Sequence, residues 1–135
     1  MTTGYSGKRL AAKLGIGEGM DVLAIDPPPD YAKWLAPLPR GARIVSSAGA
    51  ATRFVHCFVT ARGRLAAALK TQRERLPADS TLWISWPKKT AKVATDITED
   101  TIRELALPLG WVDVKVCAVS EVWSGLKLVV RQNLR

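Results

Sequence analysis

The chain has 135 residues, of which 47% are hydrophobic and 24% are charged, and its formal net charge is +8. This composition is too apolar for a disordered chain, and no uncharged run is long enough to span a membrane. We therefore expect a single domain over residues 1–135. A signal peptide needs an apolar core, but basic residues interrupt the only apolar stretch near the start of this sequence. A cytoplasmic location is therefore expected. Cys57 and Cys117 match no metal-ligand or redox spacing and are predicted to be reduced core residues.

The positive charge is concentrated between residues 61 and 92. This stretch contains two acidic residues and eight basic ones, namely Arg62, Arg64, Lys70, Arg73, Arg75, Lys88, Lys89 and Lys92. Such a surplus attracts anions, so the candidate partners are an anionic small molecule, a nucleic acid or an acidic protein surface. The alternative is a solvated basic helix face that only keeps the domain soluble. No membrane contact is predicted, and the oligomeric state is left open.

The chain opens with a predicted N-terminal arm over residues 1–19, which includes a short basic helix near Lys8 to Leu14. The apolar run from Met20 to Asp26 has no helical period and predicts a strand buried on both faces. Three prolines, Pro27 to Pro29, end this strand. The next predicted elements are a helix over Tyr31–Ala36, capped by Asp30, and a short strand over Arg43–Ser46.

The β-branched and aromatic run from Arg53 to Thr60 predicts a central strand. An amphipathic helix follows and ends before Pro77. Its buried stripe consists of Leu65, Ala68, Leu69, Gln72 and Leu76. The fourth predicted strand covers Thr81–Trp86, and an exposed polar loop leads from it to Asp96.

Thr98 is the predicted N-cap of a last helix that runs to about Leu107. Glu99 and Asp100 complement the dipole of this helix, and Ile97 and Ile102 form a hydrophobic staple. Two longer runs then predict an antiparallel hairpin with Ser124 and Gly125 in its connection; they cover Trp111–Val119 and Leu126–Arg131. Within them, apolar positions such as Val112, Val114 and Val116 are expected to face one side of the sheet.

This order of elements predicts a three-layer, Rossmann-like α/β fold with a mostly parallel open sheet of about six strands, closed by a C-terminal antiparallel hairpin. Right-handed crossovers give the spatial strand order 2-1-3-4-6-5. The topology resembles a shortened class I methyltransferase fold. Between Ser46 and Arg53 there are too few residues for the extra helix and strand of such enzymes.

Several stretches spread over nearly the whole chain also resemble one family of short bacterial proteins. They are Gly4-Tyr5-Ser6-Gly7, Leu82-Trp83-Ile84-Ser85-Trp86-Pro87-Lys88-Lys89, residues 93–99, residues 112–119 and Trp123-Ser124-Gly125-Leu126-Lys127. The family they resemble is domain of unknown function 3052. Because that family has no assigned activity, the resemblance implies no catalytic residues.

Ligands of open α/β sheets bind beyond the carboxyl ends of the strands, which places Asp26, Thr60 and the Lys88 loop around one crevice. Cofactor-binding proteins of this class have a glycine-rich turn after the first strand, and its amides approach the cofactor. This chain has Pro27 to Pro29 there, which lack amide hydrogens, and Asp26 and Asp30 repel a pyrophosphate. We therefore expect no cofactor. S-adenosylmethionine, being cationic at sulfur, fits the aspartates better but is also disfavoured.

The segment containing Trp86, Lys88 and Lys89, with Lys92, is the strongest candidate site, because it offers an aromatic ring and cations to an anionic planar ligand. The alternatives are that Trp86 packs in the core and that the lysines are only solvated. The full set of candidate ligand-binding residues is Asp26, Thr60, Trp86, Lys88, Lys89, Lys92 and Ser124. No catalytic or metal-binding residue is predicted, and His56 is expected to be a satisfied core histidine.

The leading functional hypothesis is a non-catalytic or catalytically degenerate binding domain that recognises an anionic partner through the Lys88 loop. One alternative is an atypical S-adenosylmethionine-dependent methyltransferase that uses the Asp26 turn in an unusual conformation. A second alternative is a nucleic-acid-binding protein whose affinity falls steeply with salt.

Overall fold

A computed structural model describes residues 9–135 and shows helices on both faces of one six-stranded sheet. In chain order the helices and strands are α1 (Leu10–Leu14), β1 (Asp21–Ile25), α2 (Tyr31–Leu35), β2 (Arg43–Val45), β3 (Phe54–Phe58), α3 (Arg62–Arg75), β4 (Thr81–Pro87), α4 (Glu99–Ala106), β5 (Trp111–Ala118) and β6 (Trp123–Val130). The motif Gly4-Tyr5-Ser6-Gly7 and the predicted helix start at Lys8 lie outside the described residues. Within residues 9–135, no helix is both long and apolar enough to cross a membrane.

The sheet has the order β2-β1-β3-β4-β6-β5, as the sequence predicts. Neighbouring strands from β2 to β4 are parallel, whereas β6 is antiparallel to both β4 and β5. The carboxyl ends of β1, β3 and β4 therefore meet at one edge of the sheet, together with the hairpin turn that precedes β6. This carboxyl edge is where the fold class binds its ligands.

The sheet separates two apolar cores. The first core lies between the sheet and helices α3 and α4, and the second lies between the sheet and helices α1 and α2. Trp86 of β4 belongs to the first core and Trp83 to the second, as two-residue alternation along a strand requires. The indole of Trp83 also donates a 2.9 Å hydrogen bond to the Leu14 carbonyl, which fixes α1 against β4.

Both long helices form as the sequence predicts. Leu65, Leu69 and Gln72 are buried on α3, which ends before Pro77. Thr98 caps α4, since its hydroxyl accepts a hydrogen bond from the amide of Thr101 while the Thr101 hydroxyl accepts one from the amide of Thr98.

Asp30 does not cap α2 as expected. It occupies the N-cap position, but its backbone is not extended and its side chain makes no capping hydrogen bond. The Tyr31 amide donates instead to the Pro28 carbonyl at 3.0 Å, so the proline turn itself begins the helix. The helix ends at Leu35, one residue earlier than predicted.

The hairpin differs from its prediction at the start of β6. Ser124 and Gly125 lie within the strand rather than in the connection, because β6 pairs with β4 as far as the Pro87–Trp123 pair. Gly125 packs under the ring of Trp83, where a Cβ atom would lie 3.2 Å from the ring. Because Gly125 has no side chain, it fits under this ring and β6 continues through it.

The predicted alternation along β5 is also wrong. The register shifts between Asp113 and Lys115, which is a β-bulge, and Val114 and Val116 are 52% and 50% exposed. The bulge turns these valines away from the cores. Because β5 is an edge strand, the bulge and Lys115 also disfavour pairing with another strand.

His56 connects the helix that follows β1 to strands β3 and β4. Its two ring nitrogens lie 2.8 Å from the hydroxyl of Tyr31 on α2 and 2.7 Å from the hydroxyl of Ser85 on β4. All three side chains are buried. Both ring nitrogens have partners, which confirms the prediction of a satisfied core histidine.

Burial lowers the pKa of His56 to about 3 and raises the pKa of Tyr31. The imidazole is therefore neutral in the folded protein at ordinary pH, with one nitrogen that donates and one that accepts. A charged imidazole here would lack an anionic partner among the groups that face it, which are two hydroxyls and the rings of Phe58 and Trp83.

The first prediction concerns the pH dependence of stability. Above pH 6.5, His56 is neutral in both the folded and the unfolded chain. Below this pH the unfolded chain binds a proton that the folded chain refuses until about pH 3, so stability is lost as the pH falls through this window. We expect the free energy of unfolding in urea to fall by about 2 kcal/mol between pH 7 and pH 5. His56→Gln, which keeps amide donors and acceptors but does not titrate, should remove this loss; an equal loss in both proteins contradicts the assignment.

The second prediction compares two glycines by urea denaturation. Gly110 has φ +96, and a Cβ atom there would lie 2.7 Å from Leu134 and 3.2 Å from the Nε atom of Arg73. Gly110→Ala should therefore lower the free energy of unfolding by about 1–2 kcal/mol. Gly63 lies inside α3 with open space around its Cβ position, so Gly63→Ala should raise stability by about 0.5–1 kcal/mol. Changes of the same sign would contradict this difference.

Candidate functional site

The carboxyl edge places two turns at opposite sides of β3. Asp26 follows β1 directly, and Lys88 follows β4 directly. Because β3 lies between β1 and β4, the two turns are separated by about two strand spacings, or roughly 10 Å. One small molecule can therefore contact both turns.

The turn after β1 has an unusual backbone. Asp26 has φ 52, which is the left-handed region that glycine adopts readily and that aspartate tolerates better than most residues. Its side chain is exposed, and its negative charge adds to burial in raising the pKa of the Cys57 thiol to about 12. The turn after β1 thus has a backbone conformation that is uncommon for a residue other than glycine, on a residue that carries a charge.

The loop after β4 is held at its start by the hairpin turn. The amide of Lys88 donates a 2.7 Å hydrogen bond to the carbonyl of Val122. A short 3₁₀ helix over Lys89–Ala91 follows, and Lys92 ends it with φ 57. A residue other than glycine in this conformation is uncommon and reverses the direction of the chain.

The far end of the same loop is held by the segment after β3. The Thr95 hydroxyl and the Asp96 amide donate to the Thr60 carbonyl at 2.6 and 3.4 Å. The Asp96 carboxylate accepts a 2.7 Å hydrogen bond from the Arg62 amide at the start of α3. Thr60 therefore contributes to this edge through its backbone, and the loop is fixed at both ends.

A cleft of about 400 Å³ lies between this loop and the start of α4. Apolar, hydroxyl and charged side chains line it, namely Trp86, Pro87, Lys88, Lys89, Val93, Thr95, Ile97, Thr98 and Glu99. Trp86 is only 7% exposed and Ile97 is buried, so these two side chains form the floor. Val93 is exposed at the rim.

The cleft is electropositive. Glu99 is its one carboxylate, and it pairs with Arg103, which also binds Asp113 on β5 at 2.8 Å. Among residues 9–135, no ion pair involves Lys88 or Lys89. Two cations without carboxylate partners therefore border an apolar floor.

The structure brings together three of the predicted site residues. Trp86, Lys88 and Lys89 line the cleft, whereas the remaining four, Asp26, Thr60, Lys92 and Ser124, do not. Ser124 is half-buried and pairs with Trp86 across the two strands. The core packing of Trp86 agrees with the alternative to base stacking.

Sequence reasoning missed five residues of the lining: Val93, Thr95, Ile97, Thr98 and Glu99. Val93 carried a signal, as an apolar residue in an otherwise polar loop. The others were interpreted only as parts of the loop and of the helix start, because the chain reversal at Lys92 could not be predicted.

A second cleft, of about 380 Å³, lies at the opposite edge of the sheet and includes Asp21, Arg43 and Arg53. Asp21 and Arg43 pair at 2.8 Å, and this contact lowers the pKa of Asp21. Arg53 pairs with Asp79 at 3.1 Å. The charges of this cleft thus neutralise one another within the protein.

Solved structures resemble this fold over most of the chain. A putative type 11 methyltransferase from Sulfolobus solfataricus is 11% identical with a TM-score of 0.60, over 97% of this chain and 95% of that chain. Aeropyrum pernix fibrillarin, solved with natively bound S-adenosylmethionine, is 12% identical with a TM-score of 0.60, over 89% and 73%. LepI in complex with the same cofactor is 17% identical with a TM-score of 0.54, over 91% of this chain but only 39% of its own.

No protein-family model matches the sequence, and no curated protein matches it. The resemblance to the domain of unknown function therefore stays a prediction.

The chain has the Rossmann-like fold of class I S-adenosylmethionine-dependent methyltransferases. The expectation of no cofactor, with S-adenosylmethionine disfavoured, is wrong, because structures with this fold were solved with that cofactor bound. The error has a physical reason. The prolines after β1 exclude a cradle of amides for phosphates, but S-adenosylmethionine has no phosphate. The solved structures of this fold described above include a putative methyltransferase and two proteins with bound S-adenosylmethionine.

Proposed function

We propose that this domain binds S-adenosylmethionine at the Asp26 turn and transfers its methyl group to an acceptor bound at the same edge of the sheet. The observation that carries this proposal is the left-handed, carboxylate-bearing turn after β1. In the sheet, β1 has β2 on one side and β3 on the other. The chain passes from β1 to β2 and then crosses back over β1 to β3, so this turn lies where the strand order reverses. Doubly wound sheets bind their ligands at this point.

The residues of this turn fit a cationic ligand. Asp26 is exposed, and its carboxylate attracts the sulfonium or ammonium group of the cofactor. Its positive φ provides the sharp bend for which other proteins use glycine. Ser46 and Ser47, both exposed after β2, offer hydroxyl groups that can bond the ribose. Pro27 to Pro29 donate no amide, and their fixed φ angles make the turn rigid.

The residues that would hold the cofactor are Asp26, Ser46 and Ser47, and the bound cofactor would supply an electrophilic methyl group on a cationic sulfur. The chain contributes position, because hydrogen bonds within the protein hold the Asp26 turn and the Lys88 loop on either side of β3. Correct placement of two reactants can supply much of a rate enhancement. His56 is buried with both nitrogens occupied, so it acts as a positioning residue for α2 and not as a base.

The third prediction tests the charge of Asp26. Asn also tolerates the left-handed region, so Asp26→Asn removes the charge without changing the preferred backbone. By isothermal titration calorimetry we expect the Kd for S-adenosylmethionine to rise about tenfold, the effect of about 1.4 kcal/mol. A smaller rise for S-adenosylhomocysteine, which lacks the sulfonium charge, would place the carboxylate at the sulfur.

The matched control is Asp79→Asn, which removes the same charge at the opposite edge of the sheet and should leave both affinities within about twofold. The proposal fails if neither compound binds the unaltered protein at millimolar concentration. It also fails if Asp26→Asn and Asp79→Asn give equal affinities.

A further inference from the structure

We infer that the cleft beside Lys88 is a site for a small amphipathic anion, an apolar or aromatic body that carries one carboxylate or phosphate group. The assignment of this cleft as the site of the methyl acceptor rests on the function proposed above. The cleft volume of about 400 Å³ is within the range of small-molecule sites and too small for a folded partner.

Among the charged side chains that line the cleft, Lys88 and Lys89 are the ones without an ion pair within residues 9–135. The Thr95 hydroxyl donates to the Thr60 carbonyl and accepts from the Ile97 amide at 3.1 Å. The Thr98 hydroxyl accepts from the Thr101 amide, and Glu99 is paired with Arg103. Within the described residues, the side-chain polar groups of this lining that make no hydrogen bond or ion pair are the indole of Trp86, which is almost fully buried, and the ammonium groups of Lys88 and Lys89.

The apolar part of the lining adds the second requirement on the ligand. Trp86, Pro87 and Ile97 are buried beneath the cleft, and Val93 is 42% exposed at its rim. An apolar body that covers Val93 and the small remaining exposed surface of the floor removes apolar area from water, which stabilises the complex. Since Trp86 has too little exposed surface to stack on a splayed base, these observations favour a small anion over a nucleic acid.

Hydrogen bonds within the protein hold the loop in its shape. Lys88 and Asp96 are held by backbone hydrogen bonds to Val122 and Thr60, and Lys92 adopts an uncommon left-handed conformation between them. Conformations of this kind persist only where the surroundings enforce them, and they concentrate at binding sites. A loop that is already ordered loses little conformational entropy on binding.

The fourth prediction uses matched naphthalene probes and amide chemical shifts of ¹⁵N-labelled protein. 2-Naphthoate and 2-naphthyl phosphate should shift the amides of Lys88, Lys89 and Val93. Neutral 2-naphthol and the cationic 2-naphthylmethylamine should bind at least about tenfold more weakly, because they lack the charge that the lysines attract. The ratio of the two anion affinities distinguishes a carboxylate site from a phosphate site.

Two variants separate this cleft from general charge effects. Lys88→Met with Lys89→Met keeps the apolar side-chain stems and removes both charges, so anion affinity should fall at least about tenfold. Lys70→Met removes one exposed charge on α3, outside the cleft, and should leave the affinity unchanged.

Cofactor titrations on the same proteins keep this inference separate from the proposed function. The double variant should bind S-adenosylmethionine as the unaltered protein does. If the anions shift the loop amides but the cofactor does not bind, the site exists and its role as acceptor site is overturned. The site itself is overturned if the anions shift none of these amides, or if the double variant binds them equally well. A short RNA that shifts these amides when the naphthalene anions do not would overturn the small-ligand assignment in favour of a nucleic acid.

Discussion

The hydrogen bonds of His56 hold together the segments from which the carboxyl edge is built. Tyr31 lies on α2, which begins at the proline turn, and His56 lies on β3. Ser85 lies on β4, two residues before that strand ends. In an apolar core, a polar group without a partner destabilises the fold by about 1–3 kcal/mol. Each of the three side chains therefore depends on the other two, and the Asp26 turn keeps its place relative to β3 and β4.

The turn after β1 shows how a methyltransferase-type fold is built without glycine at this position. A left-handed residue is needed where the strand bends sharply into a helix, and Asp26 adopts that conformation at some cost in local strain. The prolines that follow restrict the backbone, so the entropy lost on ordering the turn is small. Amide donors are absent from Pro27 to Pro29, while a carboxylate is present beside them. The turn is consequently better suited to a cation than to a phosphate.

Much of the fold could be predicted because the signals are local. The runs at β1, β3 and β4 are apolar on both faces, and prolines follow β1 and end β4, so the strands and their spatial order follow from general rules of topology. The start of β6 could not be predicted in this way. Gly125 usually marks a turn, but here it lies under the ring of Trp83, a contact between residues far apart in the chain.

Part of the site could also be predicted, because its signal is local. Trp86, Lys88 and Lys89 follow one strand, and topology alone places them at the carboxyl edge. The opposite wall of the cleft depends on the chain reversal at Lys92 and on hydrogen bonds from the loop to Thr60. These are tertiary features without a sequence pattern. The cofactor prediction failed because it gave more weight to the missing glycine turn, which matters for a phosphate, than to the charge of the aspartates, which it recognised as the better fit to S-adenosylmethionine.

The carboxyl edge is polarised, with the carboxylate of Asp26 on one side of β3 and the ammonium groups of Lys88 and Lys89 on the other. The two turns lie roughly 10 Å apart, about one Debye length at physiological salt, so each charge is felt weakly at the other site. A cationic methyl donor is attracted to the first turn and repelled by the second, and an anionic acceptor has the opposite preferences. For the function proposed above, this polarity favours a different site for each reactant and so lowers the chance that either one blocks the place of the other.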